Sequence, residues 1–349
     1  MTNGIVPPYL LTRIARLDDS KFATAAAAAR NALEHDATMR AVRLTFTLDN
    51  SQELVAEIAA APDRTISDAA GTQSLPGTVV RREGEDPVSD AAADEAYDGL
   101  GATFALFQDV YGRNSIDGIG LPLDASVHYG KLYDNAFWTG ERMVFGDGDG
   151  EIFARFTASL SVIGHELGHG VTQYTAGLVY LGQSGALNES VSDVFGALVE
   201  QHSRGESTAE ATWLIGDGIF TDKVEGSALR SMKAPGTAYD DDVLGKDPQP
   251  AHFDDYIDTD DDDGGVHLNS GIPNRAFYLA AEALGGNAWE RAGQIWYDTI
   301  TGPVLTARAD FAAFARATVA AATARYGEGS TEVKAVEAGW SGVGVSHAG

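Results

Sequence analysis

Two apolar stretches of this chain have charged side chains set into them, and no other feature limits the fold as much. Val162, Ile163, Leu167 and Val171 flank His165, Glu166 and His169, while Leu187, Val191, Val194 and Phe195 flank Glu189 and Asp193. Both stretches have the spacing of buried helices. His165 and His169 are four positions apart, about 400° of rotation and ~6 Å of rise, so both rings leave one face of a helix. Two imidazoles at that spacing can share a tetrahedral zinc ion. Glu166 is turned about 100° from His165, where it can flank the metal without ligating it and take a proton from a water. A catalytic zinc needs a third protein ligand and an open position. Glu189 is the candidate. Asp193, four residues on and on the same face, can accept the outer N–H of a ligand histidine. The competing readings are two solvated histidines and an ordinary acidic helix face. The apolar flanks weigh against both, since unpaired buried polar groups are costly.

Composition narrows the rest. The chain has no cysteine, so no disulfide can form and metal ligands must come from His, Asp and Glu. With 24 basic and 51 acidic residues the formal charge is −27. Such a surface repels nucleic acid and anionic membranes, so neither is expected as a partner. No segment approaches the roughly 18 uninterrupted apolar residues of a membrane span. The head of the chain, MTNGIVPPYLLTRIARLDD, is interrupted by Pro7 and Pro8 and lacks a basic start. It does not read as a secretory signal. The expectation is synthesis in the cytoplasm, with the final location open and release by a non-classical route among the options.

The chain changes style along its length. The Ala-rich run 21–33 reads as helix, closed near Asp36. From 39 to 70, Val42, Leu44, Phe46 and Leu48 alternate with polar residues as in a half-buried strand. Residues 63–90 hold Gly71, Pro76, Gly77 and Pro87 and read as strands and turns. Helix is expected over 94–112, then strands and tight turns over 115–156, including GDGDG at 146–150. From 157 onward the pattern is mostly helical, over 157–176, 186–203, 272–285, 287–301, 308–326 and 331–338. Loop-rich inserts fall at 204–235 and 236–266. An α+β fold follows: a strand-rich N-terminal lobe and a helical C-terminal lobe, with the HELGH helix of 165–169 between them.

From about residue 75 to the C-terminus the chain resembles the thermolysin family of zinc metallopeptidases. The resemblance rests on an ordered set of strings: NAFW at 135–138, GDGDG at 146–150, HELGH at 165–169, AGLVY at 176–180, GALNESVSD at 185–193, LRSM at 229–232 and DGGVHLNSGIPN at 263–274. IVPPYLL at 5–11 is similar to the short propeptide of the protealysin-like subgroup. The resemblance implies a thermolysin-like, two-lobed metalloendopeptidase, made as a zymogen, that cuts proteins and peptides before bulky hydrophobic residues. It implies one catalytic zinc held by His165, His169 and Glu189. Glu166 would be the general base and later the proton donor to the leaving amine, with Asp193 orienting His165. Tyr180 and His267 would stabilise the oxyanion, and Asp262 would hold His267. Arg230 would bind a substrate carbonyl, and Asn135 and Ala136 the substrate backbone as an added strand. Phe153, Phe156, Val162 and Leu229 would line an apolar specificity pocket.

The chain departs from the family pattern beside the zinc helix. Larger members carry a double calcium site there. Its carboxylate four residues before His165 is Ser161 here, and Thr212 and Leu214 stand where acids are expected, although Glu200 fits. Calcium dependence is therefore left open. Residues 1–50 are expected to be a propeptide inhibiting its own enzyme, against the alternative of an ordinary N-terminal helical subdomain. Residues 51–175 would be the N-terminal catalytic lobe with the HELGH helix, and 176–349 the helical lobe. Leu48, Leu54 and Val55 would suit the pocket as the residue after a cut. Two other functions compete. An exopeptidase needs a group to capture a free terminus, which no motif supplies. A non-catalytic zinc or protein-binding module would have lost groups such as Glu166, Tyr180 and His267, which are present.

Overall fold

Short strands rich in β-branched and aromatic residues build the N-terminal lobe around a five-stranded sheet in the order β2-β1-β3-β5-β4. They are β1 (Arg64–Asp68), β2 (Thr78–Arg82), β3 (Leu123–Val127), β4 (Ala136–Trp138) and β5 (Arg142–Phe145). The structure is a computed structural model that describes residues 4–46 and 60–347, the side chains of 37–46 excepted. Strands β1, β3 and β5 run parallel, while β2 and β4 pair antiparallel at the two edges. The β4–β5 hairpin turns at Gly140, whose φ of 107° suits only glycine. Helix α3 (Ala91–Ala105) packs on this sheet and begins at Asp90, whose carboxylate accepts the amides of Ala92 and Ala93.

Helices dominate from α4 (Leu160–Gln173) and α5 (Gly182–Arg204) onward, through α6 (Asp262–Asn269), α7 (Gly271–Leu284), α8 (Ala292–Thr301), α9 (Phe311–Tyr326) and α10 (Thr331–Gly342). The α+β expectation and its two lobes hold. One continuous apolar core runs through both lobes and takes in Ile5, Leu10, Leu11 and Ile14 from the head of the chain. No helix among the described residues is long and apolar enough to cross a membrane.

The N-terminal region differs from its sequence reading. After α1 (Pro8–Ala15), helix α2 runs from Ala23 to Phe46, through Asp36 and through the supposed strand at 42–46. Once an Ala-rich helix is nucleated, each further residue adds a hydrogen bond at little cost, and an alternation of a few residues cannot stop it. Leu48, Leu54 and Val55 lie outside the described residues. Residues 4–6 extend the sheet: Gly4 bridges Phe137 antiparallel, and the Ile5 amide donates to the Ala136 carbonyl at 3.1 Å. The β4 edge is thus covered by the chain's own beginning.

Candidate metal centre

Glycines let α4 and α5 approach closely. A Cβ on Gly168 would lie 2.9 Å from the Ser192 Cα, and one on Gly196 would lie 2.5 Å from the Ser161 carbonyl oxygen. That approach brings His165 and His169 of α4 against Glu189 of α5. All three are buried, and each offers a ligand atom within 4.8 Å of the others. The two imidazole rings stand perpendicular with centroids 4.7 Å apart. Glu189 lies 3.5 Å from His165 Nε2 and 3.3 Å from His169 Nε2.

The inward atoms fit a metal. His165 Nε2, His169 Nε2 and Glu189 Oε2 are buried without a hydrogen-bond partner, while the outer nitrogens are occupied. His165 Nδ1 is 2.7 Å from Asp193 Oδ1. His169 Nδ1 is 2.8 Å from Asn188 Oδ1 and 3.0 Å from the Ser192 hydroxyl. Both rings are therefore turned so that Nε2 faces the centre and is free to ligate, with the outer nitrogen held by a hydrogen bond as in zinc sites generally. Burial, outweighing Asp193, pushes the His165 pKa down to about 4, so the ring is neutral and able to ligate. Burial would raise the Glu189 carboxyl, but His267, His169 and His165 hold it well below its ordinary value.

The other polar groups are equally fixed. Glu166 is fully buried and accepts the Trp138 amide at 3.0 Å, which ties it to the sheet-edge strand. Tyr180 donates to Glu189 Oε1 and lies 3.2 Å from His267 Nε2. His267 Nδ1 is 2.6 Å from Asp262 Oδ1, and its amide donates to Asp262 Oδ2 at 2.9 Å. Burial alone would lower the His267 pKa; Asp262 and Glu189 overcome it and raise the value to about 9. Asp262 and Asp263 sit at positive φ ahead of Gly264 and Gly265, and this kink swings Asp262 behind the imidazole.

Asp193 is the most heavily bonded acid of the centre. Besides His165 it takes the Arg230 fork, Nε to Oδ2 and Nη2 to Oδ1, both at 2.9 Å, and the Asn274 amide at 2.8 Å. Burial would raise its pKa, but Arg230 and His165 lower it to about 2. The third Arg230 nitrogen, Nη1, donates to the Ile5 carbonyl at 3.1 Å. Asn135 accepts the Val6 amide at 2.9 Å through Oδ1, and its Nδ2 donates to Asp36 at 3.1 Å. Asp36 also accepts the Tyr133 hydroxyl at 2.7 Å. Gly4, Val6, Pro8 and Asp36 share one cleft with Tyr180, Asp262 and His267.

Phe153, Phe156, Val162 and Leu229 are all buried in the common core, and the Phe153 and Phe156 rings lie 5.6 Å apart. Beside α4, the Ser161 hydroxyl accepts the Gly216 amide at 3.1 Å and bonds Glu200, which pairs with Arg204. Sequence reasoning missed Asn188, Ser192, Asn274 and Asp36. Asn188 and Ser192 carried a signal, since they repeat the four-residue spacing of Glu189 and Asp193 one position earlier.

Two family descriptions match the chain: "Thermolysin metallopeptidase, catalytic domain" over residues 28–173 and "Thermolysin metallopeptidase, alpha-helical domain" over 176–345. An extracellular metalloprotease of Pectobacterium carotovorum subsp. carotovorum is 55% identical over 81% of this chain and 81% of its own length. Protease PrtS of a Photorhabdus strain is 44% identical over 98% of this chain and 92% of its own. The solved precursor of protealysin, a metalloproteinase from Serratia proteamaculans, superposes with a TM-score of 0.89 at 50% identity, covering 99% of this chain and all of that one. The expectation of a cytoplasmic chain with an open destination is corrected by the Pectobacterium relative, which is named extracellular. The ordered strings, the two-lobed fold and the His165–His169–Glu189 cluster now have a single account: the chain belongs to the thermolysin family of zinc metallopeptidases.

Proposed function

We propose that this chain is the zymogen of a secreted zinc endopeptidase that cuts proteins and peptides before bulky hydrophobic residues. The observation that carries the reading is the trio of buried, unpartnered ligand atoms on His165, His169 and Glu189 with Glu166 beside them. Zinc bound there supplies a Lewis acid that polarises a peptide carbonyl and acidifies a water. Glu166, fixed by the Trp138 amide, accepts the proton of the attacking water and returns it to the leaving amine. His267, kept charged by Asp262, and Tyr180 donate to the carbonyl oxygen as negative charge develops on it. Arg230 takes a substrate carbonyl through Nη1, and Asn135 and Ala136 pair with substrate backbone. Phe153, Phe156, Val162 and Leu229 line the pocket that receives the apolar side chain.

Residues 1–50 form the propeptide, 51–175 the N-terminal catalytic lobe and 176–349 the helical lobe. The support for inhibition is that residues 4–6 occupy the β4 edge, the Asn135 amide and the Arg230 Nη1 donor together. The likeness to a protealysin precursor supports the same reading. The test is hydrolysis of an internally quenched peptide blocked at both ends, with N-terminal sequencing of the active species. Turnover is expected only after the N-terminal segment is lost, is abolished by a zinc chelator and returns with zinc. Full activity with Met1 or Thr2 still in place rejects the zymogen. Cleavage indifferent to the residue after the cut rejects the pocket.

A further inference from the structure

Asp193 has four hydrogen bonds arriving from three elements, and only one of the donors lies on the helical stretch that also carries His267. Oδ1 receives His165 at 2.7 Å and Arg230 Nη2 at 2.9 Å; Oδ2 receives Arg230 Nε at 2.9 Å and Asn274 Nδ2 at 2.8 Å. All four residues are completely buried. Arg230 sits on a two-residue strand inside a loop-rich insert, whereas Asn274 is in the first turn of α7, which packs against α5 and α10. The Asn274 amide must turn its NH2 group to Asp193, because a carboxylate only accepts. Its own Oδ1 is left buried without a partner. An apolar residue there would carry no unmet oxygen, so the hydrogen bond to Asp193 is what offsets that cost for the amide.

We propose that Asn274 is a positioning residue of the metal centre. Its N–H fixes the rotation of the Asp193 carboxylate, and through it the His165 ring and the Arg230 fork. Arg230 alone can follow the carboxylate as it rocks, since guanidinium and carboxylate move as a bonded pair. A donor from a separate, rigid helix removes that freedom. Gln249 reinforces the same junction by donating to the His267 carbonyl at 2.7 Å and to the Ser270 hydroxyl at 3.0 Å. One helical stretch therefore sets two walls of the site, His267 directly and His165 by way of Asn274 and Asp193. The role rests on the reading that His165 ligates zinc.

The test uses the full chain with Asn274→Leu, which keeps the size and removes all polarity, and Asn274→Ala, which removes the donor without added bulk. A fold defect in one leaves the other readable. Zinc affinity is measured by competition with a chelator, and ligand geometry by the visible spectrum of the cobalt(II)-substituted protein. Affinity is expected to fall about 10-fold, the low end for loss of a group supporting a metal ligand, with a shifted cobalt band. Parent-like affinity and spectrum in a folded variant, even one with a lowered melting temperature, overturn the proposal. His165→Gln separates the two layers. If it binds zinc as the parent does, the zinc site fails and this role with it. If it loses zinc while both Asn274 variants keep it, the role of Asn274 alone fails.

Discussion

Helices α4 and α5 assemble their half of the cleft from four-residue spacings and from glycine contacts within the pair. Residues 4–36 reach the same cleft through partners far away in sequence: Val6 to Asn135 is 129 positions, Ile5 to Arg230 is 225, and Asp36 to Tyr133 is 97. The first half turns its ligands inward mainly through bonds within the helix pair, with Arg230 and Asn274 completing Asp193, and it leaves His165 Nε2, His169 Nε2 and Glu189 Oε2 facing one another. The second borrows donors and acceptors that the catalytic body presents in any case. The Ile5 amide and carbonyl take up the Ala136 carbonyl and Arg230, and Asp36 takes up Tyr133 and Asn135. What the contrast teaches is that the ligand set is fixed chiefly by short-range helix geometry, whereas the head of the chain is held by long-range bonds, several of them to backbone groups.

Glu166→Gln breaks the comparison hardest. In processed enzyme, kcat on the blocked peptide is expected to fall roughly 10²–10⁴-fold, the usual worth of a general base, while chelator competition reports zinc affinity within a few-fold of the parent. A matching loss of zinc would move Glu166 into the ligand set. Asp36→Ala acts on the other half. It removes a carboxylate hydrogen-bonded to Tyr133 and Asn135, and such charged bonds are worth about 1.5–3 kcal/mol. Residual activity of the uncleaved chain should rise about 10-fold or more, with processed enzyme unaffected. Unchanged residual activity would mean that residues 4–6 hold the segment without help from α2.

The smallest effect belongs to neither half. His128 bridges Asp90, the cap of α3, and Asp147 of the GDGDG turn, at 2.9 Å to each. Burial works against its charge, but the two carboxylates prevail and raise its pKa above the ordinary value. The sign follows: the stabilisation is complete below the unfolded value of about 6.5 and is lost as pH rises through the higher folded value. Both carboxylates are solvent-exposed, so the gain is screened to about 1 kcal/mol or less. Thermal melting of His128→Gln should trail the parent at pH 5 and converge with it at alkaline pH. A gap that persists there would assign the difference to packing.

Much of the site could be read in the sequence because helical geometry is local. His165 and His169, or Glu189 and Asp193, share a face by spacing alone, and apolar flanks mark the face as buried. The two lobes were legible for the same reason, since period-2 and period-3.6 patterns change over near residue 157. What spacing does not carry is the partner of a side chain across the fold. Nothing near Asp36 points to Tyr133 and Asn135, and nothing near Asn274 points to Asp193. Arg230 reads as a ligand for a carbonyl, yet two of its three nitrogens are spent on Asp193. The strand expected at 42–48 failed over its described part because a local alternation says nothing about a helix already growing toward it from Ala23.

The β4 edge has a further consequence for how the chain folds. An uncovered edge strand offers unpaired backbone groups; on β4 the Ala136 and Trp138 amides already have side-chain acceptors, Asn135 and Glu166, which leaves the Ala136 carbonyl as the group in need of a partner. Gly4 and Ile5, laid along it, supply that partner from within the same chain. By the same contact the head of the chain leaves less of this edge open to a strand from another molecule, whether or not a substrate is present.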